Sequence, residues 1–203
     1  MARSFVRNEI VLRVLAGMVL ACALLNGARG AYGSVLDGWT SVGSAGTVDD
    51  GSTGDVRLNG PFVEMARKCF PIGWLDLFCS TTTRAVTVRY NVVSSGALYS
   101  QSVGGALPFI LHATFRDPGN AQQVLLTLFR VDLATGAASA MEVLDSNSFA
   151  QGPNYQHAKV GSCTSFFDFG ANAYYIEARL SNTDSRSVGP GLAALQLEAC
   201  GRV

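Results

Sequence analysis

Ala173-Tyr174-Tyr175-Ile176-Glu177-Ala178-Arg179-Leu180-Ser181 alternates apolar and polar side chains with a period of two. Successive side chains of a β-strand point to opposite faces. Tyr174, Ile176, Ala178 and Leu180 therefore turn to a core, and Tyr175, Glu177 and Arg179 turn away from it. The pattern recurs. In 85–93, Val86, Val88, Tyr90 and Val92 share one face, while Thr87, Arg89 and Asn91 share the other. In 109–116, Phe109, Leu111, Ala113 and Phe115 oppose His112, Thr114 and Arg116. In 192–200, Ala193, Leu195, Leu197 and Ala199 line one side.

Residues 124–133 place Leu125, Phe129, Val131 and Leu133 on one side. Ala134-Thr135-Gly136-Ala137 follows, with Gly136 able to take positive φ, and 138–144 returns, so 124–144 predicts a β-hairpin. Weaker strands fall near 35–41, 56–58, 97–102 and 164–169. Pro61 at a first helical position, followed by Phe62–Arg67, predicts one short helical turn near residues 61–68. About eight to ten strands at short spacing define an all-β fold, an antiparallel β-sandwich of the jelly-roll kind.

The N-terminus reads differently. Arg3, Arg7 and Arg13 precede an apolar run over 14–25, and Ala28-Arg29-Gly30 supplies small residues after it. The run is short of the roughly 20 residues that span a bilayer. A basic start, a short apolar middle and a small-residue site predict a secretory signal peptide over 1–30 and one β-sandwich domain over 31–203. No later run reaches transmembrane length. Secretion, to a periplasm or a cell surface, is the expected fate. No N-x-[ST] acceptor occurs, and arginine far outnumbers lysine, which points to a bacterial source.

The formal net charge is +0 and only 15% of residues are charged. Nucleic-acid binding needs a concentrated basic surface, so no nucleic-acid partner is expected. Beyond the leader lie Cys69, Cys79, Cys163 and Cys200, an even set that in an exported chain predicts two disulfides. Cys69–Cys79 and Cys163–Cys200 are preferred, since the first pair is close in sequence and the second joins two late segments. C-x-x-C is absent and both histidines lie far from the cysteine pairs, which argues against structural zinc.

G-x-S-x-G, S-x-x-K, H-E-x-x-H and phosphate-binding glycine loops are absent from the sequence. His112 falls on the outer side of a strand and His157 in the polar stretch Asn154-Tyr155-Gln156-His157, read as a loop. Asp168, Glu177 and Glu142 are the carboxylates that a glycan hydrolase could pair. Asp49, Asp50 and Asp55 crowd one Gly-rich segment, either an exposed turn or oxygen ligands for Ca²⁺, the one cofactor the residues suggest. Between Cys69 and Cys79 the chain is strongly apolar. Phe70, Ile72, Trp74 and Leu75 form either a contact surface for a partner or, as the burial tendency of large aromatics favours, a plug over one end of the sandwich.

These residues favour an exported non-catalytic protein with a binding or surface-structural role and a protein or carbohydrate partner. The alternatives are an appendage or coat subunit that joins copies through open sheet edges, and a small secreted hydrolase using carboxylates.

Overall fold

The period-two segments become two packed sheets in the computed structural model, which describes residues 38–72, 76–94, 99–100, 105–106 and 108–200. The leader reading of 1–30 lies outside these residues, as do Trp74, Leu75 and the side chain of Ile72.

The strands are β1 (Trp39–Val42), β2 (Thr47–Val48), β3 (Val56–Asn59), β4 (Phe62–Met65), β5 (Arg67–Ile72), β6 (Asp76–Thr81), β7 (Val86–Val92), β8 (Tyr99–Ser100), β9 (Gly105–Ala106), β10 (Phe109–Asp117), β11 (Gln122–Asp132), β12 (Ala138–Asp145), β13 (Gly152–Val160), β14 (Asn172–Asn182) and β15 (Gly191–Ala199). One sheet has six strands in the order β13-β10-β15-β4-β3, with β1 also paired to β15. The other has five, in the order β12-β11-β14-β7-β2. The pairings are antiparallel throughout the two sheets. The ribbons β5-β6 and β8-β9 stand apart from both.

Inner side chains from both sheets form one core, with Phe109, Leu111 and Phe115 of β10 meeting Leu126, Leu128 and Ile176 of the opposite layer. Phe167 lies in the irregular stretch expected to be a strand at 164–169. It is fully buried, with its ring 4.3 Å from Phe109 and 4.7 Å from Tyr174. A disulfide joins Cys163, at the start of that stretch, to Cys200 beyond β15. Cys69 is bonded to Cys79 across the β5-β6 ribbon, where the two residues are directly opposite.

Three local expectations fail for one reason. The helical turn near 61–68 is instead β4 followed by β5. Val63 and Met65 go into the core, and pairing with β3 and with Gly191 and Leu192 of β15 supplies the hydrogen bonds a helix would have made internally. In β11 the inner residues are Val124, Leu126 and Leu128, so Leu125 and Phe129 face outward. That strand is apolar on both sides, and its register follows from Val124, Leu126 and Leu128 standing opposite Leu180, Ala178 and Ile176 of β14. The stretch 154–157, expected to be a loop, is part of the edge strand β13. In each case tertiary pairing overrides a local signal.

The predicted β11–β12 hairpin is present. Gly136 has φ of 72°, and Asp132 Oδ1 accepts from Ala134 N at 2.9 Å and Thr135 N at 2.8 Å, which closes the turn. At the C-terminal end of β10, Asp117 is fully buried. It accepts from Ser146 Oγ and from Gly119 N, while Ser146 Oγ in turn accepts from Val124 N at 2.8 Å. This network ties the connections after β10 and β12 to the start of β11.

Candidate functional site

The outer face of the six-stranded sheet gathers polar side chains from four strands that are distant in sequence. Glu64 stands on β4, Arg116 on β10 and Tyr155 on β13, with Gly191 of β15 between them. Tyr155 Oη donates to Glu64 Oε1 at 2.9 Å, and Arg116 Nη2 lies 2.9 Å from the same oxygen. Arg116 Nη2 also donates to the Gly189 carbonyl at 3.1 Å, and its guanidinium carbon sits 5.3 Å from the centre of the Tyr155 ring. Phe62 lies against that ring at 4.7 Å. Burial and the Glu64 hydrogen bond together push the Tyr155 phenol pKa up, so its hydroxyl stays a donor.

Tyr155 reaches Glu64 by crossing β10 and β15. The crossing needs glycine at 191, because a Cβ there would lie 2.6 Å from the Tyr155 hydroxyl oxygen. Glu64 and Arg116 are only 17% exposed, so the cluster is held stiffly in the face.

Along the same face β13 stands beside β10, with Thr114 opposite His157 and His112 opposite Lys159. His112 Nδ1 is 3.1 Å from His157 Nε2. Glu198 Oε2 of β15 is 2.9 Å from His112 Nε2, off the line of an N–H bond. His112 is 8% exposed, and burial is the main cause lowering its pKa below the usual histidine value.

The residues singled out from sequence are not drawn into one site. Asp49 pairs with Arg89 at 2.5 Å, and Arg89 also binds Glu177 at 2.9 Å, on the outer face of the five-stranded sheet. Asp55 lies 3.9 Å from Arg84, and Asp50 is exposed at the start of a 3-10 helix. Among the described residues no group of three His, Cys, Asp or Glu gathers for a metal, so the three aspartates do not form the oxygen cage Ca²⁺ requires. Glu142 stands opposite the inward Leu128, whereas Glu177 stands opposite the outward Thr127, so these carboxylates lie on different faces. Asp168 closes a turn by accepting from Gly170 N at 3.0 Å. Of the Cys69–Cys79 segment, Phe70 is 55% exposed and its cross-strand partner Phe78 is 44% exposed, so this described part is displayed rather than buried as a plug.

Glu64, Tyr155 and the meeting of the two histidines were not evident from sequence. Glu64 was hidden in an expected helical turn and Tyr155 in an expected loop. The usable signal was the weak alternation of Tyr155, His157 and Lys159 against Ala158 and Val160.

No family model matches the chain, and no curated protein matches it. Among solved structures it is similar to the mannan-recognising carbohydrate-binding module TmCBM27, at 12% identity over 83% of this chain and 91% of that one, with a TM-score of 0.35. It is also similar to a family 11 carbohydrate-binding module from Clostridium thermocellum, in complex with a β-1,3-1,4-mixed-linked tetrasaccharide. That match has 10% identity over 84% of this chain and 94% of that one, with a TM-score of 0.35. The sandwich architecture stands on the chain's own strand pairing.

Proposed function

We propose that the chain is an exported, non-catalytic binding protein that presents the outer face of its six-stranded sheet to a glycan. The Glu64–Arg116–Tyr155 cluster carries this reading. Sugar hydroxyls both donate and accept, and the cluster offers a carboxylate, a guanidinium and a phenol fixed by contacts to one another. Recognition groups held rigid before binding lose little entropy when the ligand arrives. Phe62 and Tyr155 add apolar surface beside these polar groups, which suits the C–H faces of a pyranose. The separated carboxylates support a non-catalytic role, and the two disulfides suit an oxidising compartment outside the cytoplasm.

Affinity electrophoresis against a panel of neutral soluble polysaccharides tests the proposal. At least one polysaccharide should retard the protein, and Arg116→Lys, which keeps the charge but loses the planar fork, should weaken binding at least about tenfold. Retardation by none of the panel, binding indifferent to Arg116→Lys, or release of reducing sugar would each overturn it.

A second reading is assembly of copies through β12. This strand forms one edge of the five-stranded sheet, runs eight residues and contains neither lysine nor proline. Its first half, Ala138 to Met141, carries no charge, and an uncharged edge stretch favours strand addition. Light scattering should then show an oligomer that Ala138→Lys with Ala140→Lys converts to monomer; a monomer at every concentration would sink this reading.

A further inference from the structure

We propose that His112 and His157 form a binding site for one borderline divalent transition-metal ion of the Zn²⁺ or Cu²⁺ type, with Glu198 and Thr114 orienting the two imidazoles from behind. The site does not depend on the glycan reading.

Hydrogen-bond chemistry at the far side of each ring leads to the site. In a neutral imidazole one nitrogen carries a proton and the other a lone pair. His112 Nε2 faces the Glu198 carboxylate at 2.9 Å. Rotation of the half-exposed Glu198 side chain onto the Nε2–H line would give this buried nitrogen its acceptor, and that arrangement puts the proton of His112 on Nε2. His157 Nδ1 lies 3.4 Å from Thr114 Oγ1, which can accept from it. With both protons on the outer nitrogens, the facing atoms, His112 Nδ1 and His157 Nε2, are two bare lone pairs 3.1 Å apart. Two lone pairs at that distance repel unless a cation lies between them.

The spacing suits a metal ion. Two imidazole nitrogens bound at 2.0–2.1 Å, subtending an angle between square and tetrahedral, are separated by about 2.9–3.4 Å. The rings are tilted 32° to each other, and the exposed His157 can rotate to aim its lone pair off the direct line. Imidazole ligands select Zn²⁺, Cu²⁺ or Ni²⁺ over Ca²⁺ or Mg²⁺. A carboxylate behind a ligating histidine is the usual device for fixing its tautomer. The half-exposed Glu198 needs only a side-chain rotation to align with the buried Nε2, which has no well-directed hydrogen-bond partner. A proton shared between the two facing nitrogens is the competing occupant of the same gap. Lys159, opposite His112 on β13, is the adverse charge, and Glu198 offsets it. The solvent side of His157 leaves the remaining coordination positions to water.

The sequence contains two histidines, so imidazole resonances report on this pair alone. In ¹H–¹⁵N spectra of the full chain at pH 7.5, added Zn²⁺ should shift both rings and saturate at one ion per chain. His112 Nδ1 and His157 Nε2 should show the ligand shifts. Ca²⁺ and Mg²⁺ should leave the spectrum unchanged. His157→Ala, at an exposed edge position, should abolish the shift of His112 while leaving the melting temperature within a few degrees, and His157→Gln should repeat the loss. Glu198→Gln should weaken binding about 10- to 100-fold, and Lys159→Gln should strengthen it. A proton shared between the facing nitrogens and indifferent to Zn²⁺, or Zn²⁺ affinity unchanged in His157→Ala, would overturn the proposal.

Discussion

Gly191 shows how one absent methyl group shapes the candidate face. Its hydrogen lets the Tyr155 hydroxyl cross β15 to Glu64. Gly191→Ala should expel the phenol, break the Tyr155–Glu64 hydrogen bond and leave Arg116 as the partner of Glu64. The cost to stability should be about 1–3 kcal/mol, in the range of overpacking a tight site, and glycan binding should fall with it; urea titration and affinity electrophoresis read the two effects. His112 makes a pH prediction. Its folded pKa is lowered, mainly by burial, with Lys159 and His157 acting in the same direction and Glu198 opposing. The unfolded chain therefore takes up a proton more readily. Stability is complete above the ordinary histidine value of about 6.5 and is lost as pH falls through it towards the depressed folded value. Melting temperature followed from pH 8 to pH 5 should drop in that window, and His112→Gln should flatten the drop.

Among the elements, the β5–β6 ribbon displays aromatic side chains and β12 forms an edge of the five-stranded sheet. Phe70 and Phe78 stand opposite each other on the ribbon and are both displayed. Replacing both by alanine should cost no more than about 1 kcal/mol, the scale of one cross-strand pair, whereas a buried phenylalanine would cost about 3–5 kcal/mol. A denaturant titration separates these outcomes. A loss on the larger scale would mean that the ribbon covers core after all. β13 differs from β12 as an edge, because Pro153 and Lys159 interrupt and charge it. β12, by contrast, presents an uncharged stretch from Ala138 to Met141.

For the molecule as a whole, the Cys163–Cys200 bond holds the irregular chain carrying Phe167 to the end of β15. The sequence separation is 37 residues, and closing a loop of that size stabilises a fold by roughly 3–4 kcal/mol through the unfolded chain. The double replacement Cys163→Ser with Cys200→Ser should lower the unfolding free energy by about that amount in urea, with Phe167 the first core residue to loosen by hydrogen exchange of its surroundings. The sequence alone determined that Val86, Val88, Tyr90 and Val92, or Tyr174, Ile176, Ala178 and Leu180, share an inner face, because side-chain alternation is a property of the extended backbone and needs no partner. It did not determine the inner face of β11, where both sides are apolar, or the strand at 62–65, where proline signalled a helix. Only the tertiary structure decided that Glu64 meets Tyr155 across 91 residues and that His112 meets His157 across 45. Strand order and register are choices among many compatible pairings, and each is selected by how the buried faces of all the strands fit together at once rather than by any local run of residues.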